Sequence, residues 1–389
     1  MQVANRLQNI NEYYFSQKLR EIEVMNSQGE AVINLGIGSP DGPPHPSVVE
    51  VLHSESSKPN VHAYQGYKGV KVLRDGIAAW YSKWYGVALN ADAEVLPLIG
   101  SKEGIMHICM TFLNEGDVAL VPNPGYPTYR SAVQLAGATC LDYELKEEQD
   151  WMPDFEALER EDLSKVKLMW VNYPHMPTGQ LPTKDLFQQL IRFGKKHNIL
   201  ICHDNPYSFI LNETPASILA VEGAKEIALE LNSLSKSHNM AGWRVGMLAA
   251  SKENIDAVLR FKSNMDSGMF LPLQLAAAQA LTLGKDWHDG LNAIYAKRRQ
   301  KAFQLLDVLQ CTYSKSQAGM FVWAKIPTAY SNGFELSDTV LHKARVFITP
   351  GGIFGSAGAS YIRVSLCSSE SVFDLAIQKI EKTLQTASV

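Results

Sequence analysis

Between residues 95 and 234 short apolar runs alternate with longer amphipathic segments, and this alternation restricts the fold more than any other feature of the chain. Residues 95–99, 119–121, 166–171, 199–203 and 227–234 read as strands. Residues 103–112, 126–135 and 184–197 read as helices between them. A strand followed by a helix returns in the same direction, so the series predicts a mostly parallel sheet with helices on both faces. Beyond about residue 283 the pattern changes. A long helix (287–309), an apolar run (320–325), a helix (336–344), a strand (361–365) and a closing helix from residue 371 predict a separate, smaller α+β layer. Residues 5–28 read as one helix, with Leu7, Ile10, Tyr14 and Leu19 near helical spacing. No Ser/Gly-rich linker separates the layers, so a cleft between them is the expected ligand site.

Composition removes several function classes. A net charge of −4 leaves no electrostatic footprint for nucleic acid or an anionic membrane. No run of 18 apolar residues is present, and the polar N-terminus lacks the apolar core of a signal peptide, so a cytoplasmic protein is expected. The five cysteines are scattered, without metal-ligand spacing, and read as free thiols in a reducing compartment.

Polar motifs stand where the strands end, which is where parallel sheets place their ligands. Ser233, Ser235 and Lys236 precede Arg244 in a segment closed by Gly242 and Gly246. A lysine beside a second cation has a depressed pKa and condenses with an aldehyde. Two hydroxyls and a guanidinium suit a phosphate ester. An aldehyde that carries a phosphate is pyridoxal 5′-phosphate (PLP). Gly100-Ser101-Lys102 turns a strand into a helix, whose free N–H groups bind phosphate. Asp204 ends an apolar strand, where a carboxylate can keep a pyridine nitrogen protonated. Tyr207 follows it within reach of a phenolic oxygen, and Tyr126, in a Pro-rich turn, can stack on a flat ring. Arg363 lies inside a strand, where an arginine is costly unless paired; its planar fork matches a carboxylate.

Taken in this order and spacing, these residues resemble the class I/II, fold-type I PLP-dependent aminotransferases, from Gly36-Ile37-Gly38 to the C-terminal helix. The resemblance implies an α/β large domain with a mostly parallel sheet of the seven-stranded type over residues 46–283. It implies a small α+β domain from 1–45 with 284–389. Lys236 would form the Schiff base and carry the proton; Asp204 would pair with the pyridine nitrogen, Tyr207 with the phenolic oxygen, and Tyr126 with the ring face. Ser101, Lys102, Ser233, Ser235 and Arg244 would hold the phosphate. Arg363 would take the substrate α-carboxylate, helped by the Gly38 N–H. Tyr64 matches the tyrosine that reaches the phosphate of a neighbouring subunit, which implies a homodimer with shared active sites. An L-amino acid and a 2-oxo acid are the implied substrates.

One position departs from the family. The loop that usually reads Asn-Pro-Thr-Gly reads Met176-Pro177-Thr178-Gly179 here, and a thioether cannot donate to the phenolic oxygen. Tyr207 is then the side-chain donor to that oxygen unless Asn172 or His175 reaches in, and the Schiff base pKa is expected to rise. The same constellation serves carbon–sulfur lyases, which differ in what leaves after Cα deprotonation. A non-catalytic PLP-binding sensor would usually carry a DNA-binding appendage, and the aminotransferase-like part begins almost at Met1. Lys68, Lys102 and His175 fall in loops near the expected cleft and read as solvated residues first, substrate contacts second.

Overall fold

The computed structural model describes residues 1–8, 10 and 12–387. Its main sheet has seven strands in the order Val95–Leu98, Gly246–Ala249, Ala228–Ser233, Leu200–Asp204, Val166–Val171, Val118–Asn123 and Thr139–Glu144. Only Gly246–Ala249 runs antiparallel to its neighbours. The mostly parallel α/β sheet expected from the alternation is present. Strands buried on both faces carry apolar residues at every position, and alternate ones enter opposite cores. Leu168 and Trp170 join one cluster with Leu229, Leu231 and Cys202; Met169 and Val171 join the other with Leu120 and Ile201. Helices Ser101–Phe112 and Pro127–Leu135 cover the first face, and Lys71–Tyr85 and Lys184–His197 cover the second.

The strand directions gather the polar motifs. Six strands run the same way, and the C-terminal ends of five of them deliver Ser101, Tyr126, Asn172, Asp204 and Lys236 to one edge of the sheet. The antiparallel strand starts at that same edge, so Arg244, just before it, arrives there too. A second, antiparallel sheet of Thr349–Pro350, Tyr361–Ser365 and Phe321–Lys325 brings Arg363 from the opposite side. Ile33–Asn34 pairs with Val346–Phe347 and ties the N-terminal segment to this layer.

Some expected boundaries shift. The helix expected over 5–28 is a short turn, Asn5–Leu7, followed by the helix Tyr14–Ser27; Asn9 and Asn11 lie outside the described residues. Tyr13 is held extended, with its side chain on the cavity described below, so the helix starts after it. Ser101 opens its helix rather than preceding it. The edge strand Thr139–Glu144 has no counterpart in the expected series; Thr139, Asp142 and Glu144 are exposed, and it lacks the apolar run of the central strands.

Close backbone packing joins the antiparallel strand to the start of the helix Ser101–Phe112. A Cβ on Gly246 would lie 2.5 Å from the Ser101 nitrogen and 2.7 Å from the Gly100 carbonyl carbon. Neither can retreat without moving the helix start. Gly246→Ala is therefore expected to lose about 1–3 kcal/mol of unfolding free energy, as overpacking does. Urea denaturation checks this, and an unchanged midpoint would contradict it.

Candidate active site

The edge of the main sheet and the second sheet enclose a cavity of about 420 Å³. Ser101, Lys102, Tyr126, Asn172, Met176, Asp204, Tyr207, Ser233, Ser235, Lys236, Arg244, Gly38 and Arg363 all line it. Tyr64 does not; it stands 91% exposed on the surface.

Arg363 is the least satisfied group in the wall. Its side chain is buried, and its partners are neutral: the Gly36 carbonyl accepts from Nη2 at 2.9 Å and Met176 Sδ from Nη1 at 3.2 Å. Nε has no partner, and no carboxylate among the described residues pairs with the guanidinium. The Phe321 ring lies 3.8 Å from its Cζ and the Phe354 ring 4.7 Å. Burial pulls its pKa down to about 10.

Asp204 faces the cavity from the main sheet. Oδ2 accepts from the Tyr129 hydroxyl at 2.8 Å, whereas Oδ1 is buried without a partner. Tyr129 is itself fixed by stacking on Trp170, with centroids 5.0 Å apart. Burial raises the Asp204 pKa to about 6, against the opposing Tyr129 hydrogen bond. The preceding residue, His203, points to the other face and bridges Glu230 and the Tyr173 carbonyl.

Lys236 sits on a four-residue helix after the strand Ala228–Ser233, and its Nζ donates to the Gly38 carbonyl at 2.5 Å. Burial depresses its pKa, and the Arg363 and Arg244 charges add to the effect. Around it, Ser233 Oγ lies 2.9 Å from Ser235 Oγ, and Arg244 Nη1 donates to Ala241 O at 2.8 Å. Arg244 adopts a left-handed backbone (φ 56°) that turns its guanidinium back over Gly100. Gly100, also at positive φ, has no Cβ to collide with it.

The two side chains named as alternative donors to the phenolic oxygen are placed differently. Asn172 lines the cavity and is held by backbone: one Nδ2 N–H donates to Asp204 O at 2.5 Å and Oδ1 accepts from Met176 N at 2.8 Å. His175 is buried outside the lining, with Nδ1 2.8 Å from Thr178 Oγ1, and burial lowers its pKa to about 3. His175, away from the lining, does not supply the donor that Met176 lacks. Lys68 turns to the Asp92 carbonyl and is not part of the lining.

The structure adds residues that sequence reasoning missed. Tyr129 lay in the quoted Pro124–Tyr129 motif, but a tyrosine on an apolar helix face reads as core until its hydroxyl is seen on Asp204. Tyr13 and Phe15 complete the wall from the N-terminal segment, and Phe321 and Phe354 from the second sheet layer. No local motif marks them.

A mouth lined by amine, carboxylate, guanidinium and hydroxyls, set at a sheet edge in this fold, suits an enzyme that works on amino acids, and similarity to known proteins says which reaction it performs. The aminotransferase class I and II signature matches residues 30–380, and the chain belongs to that family, whose members depend on PLP. A protein of Dehalococcoides mccartyi named LL-diaminopimelate aminotransferase is 41% identical over 382 residues, 98% of each chain. One of the same name from Halothermothrix orenii is 37% identical over 98% of this chain and 99% of its own. The solved structure of apo BacF from Bacillus subtilis matches with a TM-score of 0.94 at 36% identity over 98% of each chain. The aminotransferase reading holds, and the lyase alternative is not favoured. No helix among the described residues is long and apolar enough to cross a membrane.

The Asp204 pKa makes a stability prediction. Raised from 3.8 to about 6, the folded carboxyl binds its proton more tightly than the unfolded one. Stability of the cofactor-free protein therefore falls as pH rises from about 4 to about 6, and the deficit persists above that. Asp204→Asn is expected to be more stable than the parent by about 1–3 kcal/mol near pH 7.5 and equal to it near pH 4. Urea unfolding at both pH values checks this; a less stable variant near pH 7.5 would contradict it.

Proposed function

We propose that the chain is a cytoplasmic, homodimeric aminotransferase that uses PLP to move the amine of a long, two-ended L-amino acid to a 2-oxo acid. LL-diaminopimelate is the first candidate donor and 2-oxoglutarate the first candidate acceptor. The observation that carries this reading is one cavity bordered by Lys236, an unpartnered Asp204 oxygen and a guanidinium without an anion. Each matches a different group of cofactor or substrate.

The donor set fits PLP. The Ser101 helix start, Ser233, Ser235, Arg244 and Lys102 N–H suit its phosphate; Asp204 suits the pyridine nitrogen, Tyr207 the phenolic oxygen and Tyr126 the ring face. When bound, the pyridine ring supplies an electron sink that acidifies the substrate Cα–H. Arg363 holds the α-carboxylate, with the Gly38 N–H beside it. Lys236, with its lowered pKa, would hold the cofactor by its aldehyde carbon; once displaced there by the substrate amine, its free Nζ would take the Cα proton and deliver it to the former aldehyde carbon. The aromatic wall of Phe15, Phe321 and Phe354 excludes water from the carboxylate site.

Lys102 supports the choice of a two-ended substrate. Its Nζ lies at the mouth, 4.8 Å over the Tyr13 ring, with no carboxylate partner among the described residues. A cation so placed suits a second carboxylate, and the relatives named above are LL-diaminopimelate aminotransferases. The division into residues 46–283 and 1–45 with 284–389 puts this mouth between two domains. The homodimer rests on the exposed Tyr64, Tyr67, Met265 and Phe270, on loops that touch where Gly268 packs on Gln65. An apolar patch of this kind suits a second copy, which would bring Tyr64 to the phosphate. Five free cysteines agree with a reducing compartment.

Amino transfer from a panel of L-amino acids to 2-oxoglutarate tests the substrate. LL-diaminopimelate is expected to exceed L-aspartate and L-phenylalanine in kcat/KM by at least about ten-fold, and Lys102→Met to remove most of that margin, as loss of one charge-assisted contact does. Equal use of all three donors would overturn the assignment. Lys236→Ala is expected to abolish turnover, and retained turnover would overturn the mechanism.

A further inference from the structure

The residue that departs from the family also touches the most exposed energetic weakness of the site. Met176 is buried, and its Sδ accepts from Arg363 Nη1 at 3.2 Å. Its own position is bracketed: Met176 N donates to Asn172 Oδ1, and Asn172 Nδ2 donates to the carbonyl of Asp204. A hydrogen-bonded chain thus runs from the Asp204 strand through Asn172 and Met176 to the guanidinium. Apart from aromatic faces, the other partner of Arg363 is the Gly36 carbonyl.

We propose that Met176 is a positioning residue for Arg363. Its thioether steers Nη1 and so orients the fork, yet it is a weak, uncharged acceptor that leaves the guanidinium's charge for an incoming carboxylate. This rests on the reading of Arg363 as the carboxylate anchor. An apolar side chain of equal volume would fill the site and lose the steering. A side chain of similar length with an acceptor at its end would keep it. Packing alone makes the opposite prediction, since leucine replaces methionine well in cores whereas a buried amide does not.

The test is calorimetric binding of 3-phenylpropanoate, a carboxylate without an amine, to PLP-loaded protein, with KM and kcat measured in parallel. Met176→Leu is expected to weaken binding about five-fold, the loss of one weak hydrogen bond to a thioether, and to raise KM while kcat stays within about two-fold. Met176→Gln is expected to bind within about two-fold of the parent. A leucine variant that binds like the parent, or a glutamine variant weaker than the leucine one, would overturn the proposal. Arg363→Ala separates the two readings. If it binds 3-phenylpropanoate as the parent does, the anchor assignment is wrong. If it loses binding while Met176→Leu does not, only the role of Met176 is wrong.

Discussion

Ionisable groups enclosed without counter-ions set the terms for this structure. Arg363 and Asp204 are buried, Lys236 is largely enclosed, and the bonds that hold them come from neutral groups: carbonyls, a thioether and the Tyr129 hydroxyl. Removing a charge from water costs several kcal/mol even after the protein relaxes. The groups do not relieve one another by pairing across the cavity; no ion pair joins them among the described residues. Their potential is therefore available to a ligand with complementary charges.

The scaffold tolerates this strain because the groups are carried by rigid elements buried elsewhere. Each central strand places alternate side chains into two separate cores, so its register is fixed on both faces. One edge of that sheet then receives Ser101, Tyr126, Asp204, Lys236 and Arg244 from different parts of the chain. Arg363 comes from a second sheet, and the relative placement of the two sheets sets the span from guanidinium to amine. Asn172 and Met176 form a hydrogen-bonded bracket across that junction.

Much of this was legible in the sequence, for a physical reason. Strands buried on both faces leave continuous apolar runs, and the residues that end them must be polar for a purpose or for a turn. Arg363 could be picked out because an arginine inside a strand is expensive, Asp204 because it ends an apolar strand, and Lys236 and Arg244 because they share one segment with two hydroxyls. The hydroxyl of Tyr129 left no comparable mark, since tyrosine fits a core. Tyr13 was hidden because helical spacing continued through a position that is not helical, and Phe15 because an aromatic side chain on a helix reads as core. The loss of a donor at Met176 was readable; its contact with Arg363 was not, because it joins two sheets far apart in the chain.

The most direct test of the account is to trap the cofactor on its lysine. Protein loaded with PLP, reduced with borohydride and digested, is expected to carry the phosphopyridoxyl group on the peptide that contains Lys236 alone. A modification at another lysine, or none above that of denatured protein, would contradict the assignment of this cavity.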